Sequence, residues 1–134
     1  MKPLTVLVAD DEENILVLIE HWLAQLGYKV VTVKNATEAK SVCEHQAFDL
    51  VVTDVLMPGG DGIDLIESVK KSRPTGRILA ISGGGRYLDR DECLKIARGL
   101  GAHAVLMKPF TREQFLAGVA RAMRPPRGDA DPSI

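Results

Sequence analysis

Three apolar runs in this sequence each lead into a charged residue. Residues 4–9 are followed by Asp10-Asp11, residues 50–53 by Asp54, and residues 103–107 by Lys108. If the runs are parallel strands, their carboxyl ends lie along one edge, and groups distant in sequence become neighbours. Three carboxylates gathered there repel one another and favour protonation unless cations compensate. Lys108 supplies one positive charge. A divalent ion would supply more, and an all-oxygen site with few protein ligands and several waters suits Mg2+. Each residue alone also reads as a solvated loop acid or a surface lysine, because charged side chains are mostly exposed. Their coincidence at three strand ends favours a site, since ligands of open α/β sheets bind along that edge.

The segment Asp54-Val55-Leu56-Met57-Pro58-Gly59-Gly60-Asp61-Gly62 sharpens this picture. An apolar strand feeds a single acid, then a Pro-Gly-Gly loop, then a capping Asp before a helix. Pro58 restrains one backbone dihedral, and the glycines let the chain turn sharply with its carbonyls near the acid. As structure, this is a β-to-α connection. As chemistry, it suits a carboxylate nucleophile of the kind that forms aspartyl phosphates.

The elements that must position these groups are legible in the pattern. Strands are expected over residues 4–9, 29–33, 50–53, 77–81 and 103–107, and helices over 13–26, 36–46, 62–71, 88–100 and 111–123. The runs at 50–52 and 78–81 are continuously apolar, as strands covered on both faces should be. Ile15, Leu18, Ile19, Trp22, Leu23 and Leu26 recur at helical spacing, and Gly27 ends that helix. Asn35, Asp61 and Thr111 can each cap the helix that follows. Strict β-α alternation implies an α/β fold, a parallel sheet with right-handed crossovers and helices on both faces.

A chain of 134 residues, 46% of them hydrophobic, fits one compact domain with a real core. We expect that domain over residues 1–123 and a mobile tail over 124–134, where prolines and charges leave little to pack. No apolar run approaches the roughly 18 residues of a membrane span, so no membrane insertion is expected. The opening apolar stretch is too short for a secretory signal, which makes a cytoplasmic protein the expectation. A net charge of −1 lacks the basic footprint of a nucleic-acid binder. Cys43 and Cys93 match no metal spacing and read as thiols of a reducing compartment. His21, His45 and His103 are scattered, whereas metal-binding histidines come clustered.

Asp10-Asp11, the segment from Asp54 to Gly62, Ser82 at the end of the fourth strand, and Lys108-Pro109-Phe110 together resemble bacterial response-regulator receiver domains. The similarity runs from about residue 4 to residue 123, and four motifs in this order make it specific. It implies a flavodoxin-like, doubly wound five-stranded parallel sheet of order 2-1-3-4-5 with five helices. It further implies a single-domain regulator of a two-component or phosphorelay system, with Asp54 accepting a phosphoryl group from phosphohistidine. The donor would be a histidine kinase or a histidine phosphotransfer protein. Mg2+ would be ligated by Asp11, Asp54 and the backbone carbonyl of Leu56, with Asp10 acting through water. Ser82 and Lys108 would engage the phosphoryl group, and the Lys108–Pro109 bond would be cis. Donor helices would dock on Ile15, Pro109 and Phe110, although core packing of Ile15 and Phe110 fits their periodicity equally well. A downstream protein would read helix 4, strand 5 and helix 5. Such a chain is not an enzyme in the usual sense, since it catalyses only its own phosphorylation and dephosphorylation.

Some positions depart from the family pattern. Val105 stands three residues before the lysine, where the family usually carries the Tyr or Phe of its switch. Gly83, Gly84 and Gly85 follow Ser82, and Tyr87 beyond them either supplies the missing aromatic or simply opens the fourth helix. The glycine run lacks the lysine and hydroxyl of a phosphate-binding loop. At the positions that tune phosphoryl lifetime, Leu56 cannot aim a water and Gly84 cannot block one. Two other functions compete: a receiver-like adaptor that works without phosphate, and a receiver cut from a larger hybrid kinase or regulator. An aspartyl hydrolase would need a second acid where Leu56 stands. No segment remains for a helix-turn-helix, so direct DNA binding is not expected.

Overall fold

The computed structural model describes residues 3–55, 62–73, 76–83 and 90–124, apart from the side chains of residues 90, 93, 94, 96 and 97. The expectations for Leu56, Tyr87 and the tail beyond residue 124 fall outside that description. Strands and helices alternate without exception: β1 Thr5–Ala9, α1 Glu13–Gln25, β2 Lys29–Val33, α2 Ala36–His45 and β3 Leu50–Asp54, followed by α3 Gly62–Ser72, β4 Arg77–Ser82, α4 Arg90–Gly99, β5 Ala104–Met107 and α5 Arg112–Met123. The five strands form one parallel sheet in the order β2-β1-β3-β4-β5. Strand order therefore reverses between β1 and β3, which opens the crevice where such folds place their chemistry.

Side chains alternate across the strands and divide the core in two. Val6 and Val8 of β1, Leu50 and Val52 of β3, and Leu79 and Ile81 of β4 pack against α1 and α5 through Leu16, Ile19, Leu23, Phe115 and Val119. Leu7, Ala9, Val51, Ile78 and Ala80 pack on the other face against α2 and α3 through Ala36, Ala39, Leu65, Ile66 and Val69. Trp22 is half-buried on the α1–α5 side, where its ring lies 6.4 Å from that of Phe110 and 5.6 Å from that of Phe115. The periodicity that placed Trp22 on the apolar stripe of the helix thus has a packing reason.

The helix ends are set locally. Asn35 Oδ1 accepts the Glu38 N–H at 2.8 Å to start α2, and Thr111 with Gln114 forms a reciprocal capping box at the start of α5. Gly27 adopts a φ of 89°, the left-handed conformation that ends α1 and that glycine enters without a side-chain clash. Asp61 lies outside the described residues. No helix among the described residues is long and apolar enough to cross a membrane.

Candidate functional site

Four neighbouring strands deliver their last residues, or the residues just beyond, to one edge: Asp10 after β1, Asp54 ending β3, Ser82 ending β4 and Lys108 after β5. Backbone bonds carry the ladder one step past the strands, so these positions are fixed by the sheet itself. Asp10 N–H donates to the Val33 carbonyl at 3.2 Å, Val55 N–H to Ile81 at 2.8 Å, and Lys108 N–H to Ser82 at 2.9 Å. The Lys108–Pro109 peptide bond is cis. Gly62 closes the site from below: a Cβ there would lie 1.8 Å from the Asp54 carbonyl oxygen, so α3 starts this close to β3 only with glycine.

Among the described residues, the buried polar residues are Asp10, Thr53, Asp54 and Ser82, all at this edge, and Asp10 and Ser82 are each 1% exposed. Lys108 Nζ donates to Asp54 Oδ2 at 2.9 Å and to Glu12 Oε1 at 2.6 Å. It also lies 3.1 Å from Asp10 Oδ2. That last contact is an ion pair without hydrogen-bond geometry, which leaves a buried carboxylate oxygen with no hydrogen bond. The other Asp10 oxygen accepts the Glu12 N–H at 2.8 Å.

Among the described residues, one ammonium therefore faces three carboxylates, and the titration of Asp10 and Lys108 reflects it. Burial, reinforced by the charge of Asp54, raises the Asp10 carboxyl to about 6 against the opposing pull of the Glu12 N–H and Lys108. Burial alone would lower the Lys108 ammonium. Its bonds to Glu12 and Asp54, with the charges of Asp54 and Asp10, outweigh burial and raise it. Lys108 stays charged throughout the physiological range.

The donor set suits a hard divalent cation. Carboxylate oxygens of Asp10, Glu12 and Asp54 all lie within 4.8 Å of one another. The Asp10 oxygen without a hydrogen bond and the excess of carboxylates among the described residues suit a cation, and an all-oxygen cluster suits a hard ion such as Mg2+ better than softer metals. Asp11 is exposed and does not join that cluster. Glu12 does, and sequence reasoning missed it. The only signal was its place directly after the acid pair, where an exposed helix-start acid is the ordinary expectation.

The remaining expected positions surround the site. Val105 is half-buried on β5 and packs against the core on the α2–α3 side. It also lines a groove of about 480 Å³ with Arg98 of α4, Met107 of β5, and Ala117 and Arg121 of α5. Ile15 and Phe110 are half-buried against the α1–α5 core, while Pro109 is exposed beside Lys108. The histidines stand apart. His21 and His45 are exposed. His103 Nδ1 accepts the Ile78 N–H at 3.1 Å, at the opposite edge of the sheet.

Known proteins share both sequence and fold with this chain. Residues 6–120 match the response regulator receiver domain family. The DNA-binding transcriptional regulator NtrC of Azospirillum brasilense is 38% identical over 124 residues, 92% of this chain and 25% of that protein. The alkaline phosphatase synthesis transcriptional regulatory protein PhoP of Bacillus subtilis is 32% identical over 119 residues, 89% of this chain and 48% of that protein. The chain thus spans a quarter to about half the length of these relatives. A CheY-like receiver domain protein of Methanospirillum hungatei superposes with a TM-score of 0.82 at 25% identity, covering 91% of this chain and 94% of that one.

Proposed function

Because this chain belongs to the response-regulator receiver family, we propose that Asp54 is its phosphoacceptor and that the domain switches state when Asp54 is phosphorylated. Receiver domains are signalling modules of two-component systems that take phosphoryl groups from histidine kinases and signal to effectors. The single observation that carries the assignment is the 2.9 Å bond from Lys108 Nζ to Asp54 Oδ2 inside a buried, excess-acid edge. It sets a nucleophilic carboxylate beside a fixed positive charge.

In the transfer, an Asp54 oxygen attacks the phosphorus of a phosphohistidine, the N–P bond breaks and the imidazole leaves. Such a reaction needs alignment and countercharge more than covalent help. Lys108 holds positive charge where the phosphoryl oxygens arrive, and Ser82 offers its hydroxyl. By the family resemblance Asp11, Asp54 and the carbonyl of Leu56 would hold Mg2+ with Asp10 acting through water, whereas the acids whose oxygens come together are Asp10, Glu12 and Asp54. When bound, the ion offsets the clustered carboxylates and the charge developing on the phosphoryl group. Donor helices dock on Ile15, Pro109 and Phe110. A protein partner reads α4, β5 and α5, where the groove beside Val105 stands in for the family's aromatic.

The donor is a histidine kinase or a phosphotransfer protein, and the domain acts as a single-domain regulator. A second reading has a specific observation behind it: the relatives are two to four times longer, so the chain also fits the receiver portion of a larger regulator. Acetyl phosphate with Mg2+ tests the common core of both. Intact mass should gain one phosphoryl group in the native protein, none after chelation and none in Asp54→Asn. An Asp54→Asn variant that still gains a phosphoryl group would place the acceptor elsewhere.

A further inference from the structure

Glu12 belongs to the acid cluster, yet it has no assigned part in phosphoryl transfer and makes the shortest of the Lys108 contacts: 2.6 Å, against 2.9 Å to Asp54 and 3.1 Å to Asp10. It stands at the N-cap of α1, where an acidic side chain would ordinarily bond the first free N–H groups of the helix. It makes no such bond. Its carboxylate is instead turned across the site to an element 96 residues away in sequence.

The three partners of Lys108 differ in freedom. The Asp10 and Asp54 side chains are 1% and 9% exposed, locked at strand ends, whereas that of Glu12 is 58% exposed. An ammonium has three N–H groups. Two are spent on Glu12 and Asp54, and Asp10 lies alongside. The third points to no hydrogen-bond acceptor among the described residues, so a phosphoryl oxygen on Asp54 draws Lys108 toward itself against the hold of these partners, and Glu12 is the one on a solvated, flexible side chain that can yield.

We propose that Glu12 is a positioning residue that tethers Lys108 in the resting protein, and that Lys108 must exchange Glu12 for the phosphoryl group. The inference rests on Asp54 being the phosphoacceptor. The tether favours the unphosphorylated state, so loosening it should favour binding of a phosphoryl analogue. A largely solvated ion pair contributes little, and the effect should be about twofold to fivefold in affinity. It should shrink as salt is raised, because the pair is open to solvent on one side.

The experiment titrates beryllofluoride, which mimics a bound phosphoryl group, into the full chain at saturating Mg2+. Native protein, Glu12→Gln and Glu12→Asp are compared. Glu12→Gln removes the charge, while Glu12→Asp keeps the charge and shortens the reach by one methylene. A tether predicts tighter binding in both variants. Tighter binding in Glu12→Gln alone would mean that Glu12 acts only through its field, and equal binding in all three would mean no hold on Lys108; either result overturns the proposal. The Lys108 Nζ signal in 15N NMR of the resting protein gives an independent readout and should move in both variants. If the native protein takes up neither beryllofluoride nor acetyl phosphate, the phosphoacceptor assignment fails. The Nζ signal still decides the tether, which is overturned if that signal stays put in both variants.

Discussion

The two edges of the sheet use polar groups in opposite ways. At the amino edge several of them satisfy one another, although Arg73 Nε, just past α3, is buried without a hydrogen bond. Asp49 Oδ2 accepts the Thr5 N–H at 2.8 Å and the Thr5 hydroxyl at 3.2 Å, tying β1 to the start of β3. Arg77 Nε donates to the Ala122 carbonyl at 2.6 Å, its guanidinium also reaches the Arg124 carbonyl, and together these cap the end of α5. His103 takes the Ile78 N–H. At the carboxyl edge, three carboxylates share one lysine and a buried oxygen of Asp10 has no hydrogen bond. One edge closes the fold, and the other, among the described residues, gathers more carboxylates than cations. Such an imbalance is what the proposed site for a cation and a transferred phosphoryl group requires.

Mutations at the two edges should have opposite consequences. Asp49→Ala should leave the backbone N–H of Thr5 without its acceptor and destabilise the domain by about 1–3 kcal/mol. Phosphoryl uptake from acetyl phosphate should persist in the folded fraction. Asp54→Asn should do the reverse, abolishing uptake while relieving repulsion from Asp10, with a melting temperature equal to or above that of the native protein. Denaturant melts alongside intact-mass measurements would show whether the two edges separate in this way. A large loss of stability in Asp54→Asn would mean that the charged edge also holds the fold together.

A smaller effect sharpens the contrast through pH. Burial and the charges of Arg77 and Lys70 lower His103 to about 4, below its ordinary 6.5. The unfolded chain therefore binds the proton more tightly, and the contribution of His103 to stability is lost as pH falls from about 6.5 towards 4. Asp10 has the opposite sign. Raised from 3.8 to about 6, it binds the proton more tightly when folded, so its contribution is lost as pH rises through that window. In metal-free buffer the two effects oppose one another between about pH 4 and 6, so His103→Asn should make stability fall more steeply as pH rises, and Asp10→Asn should make it fall more steeply as pH drops. If both variants changed the pH profile in the same direction, the two edges would not be electrostatically distinct.

Much of this was legible in the sequence. Alternating apolar runs gave five strands and five helices to within about two residues at each described end, because strand burial and helix periodicity are local signals. The placement of Asp10, Asp54 and Lys108 on one edge followed from the parallel topology. Glu12 and His103 were not legible, since their partners lie 96 and 25 residues away and no local pattern announces them. Gly62 was readable as the start of a helix, but not as the point where α3 meets the Asp54 carbonyl. Asp10 and Asp11 look equivalent as letters. The direction in which the chain leaves β1 buries the first and exposes the second.

With Asp54 as phosphoacceptor, charge added there should be felt by β5 and the helices beside it. Amide NMR of the protein before and after phosphorylation with acetyl phosphate and Mg2+ tests this most directly. The account predicts shifts around Asp10, Asp54, Ser82 and Lys108 that continue into Val105, Met107 and the facing side of α5, leave Asp49 and Thr5 in place, and vanish in Asp54→Asn. Shifts confined to the site, or shifts that survive in Asp54→Asn, would contradict it.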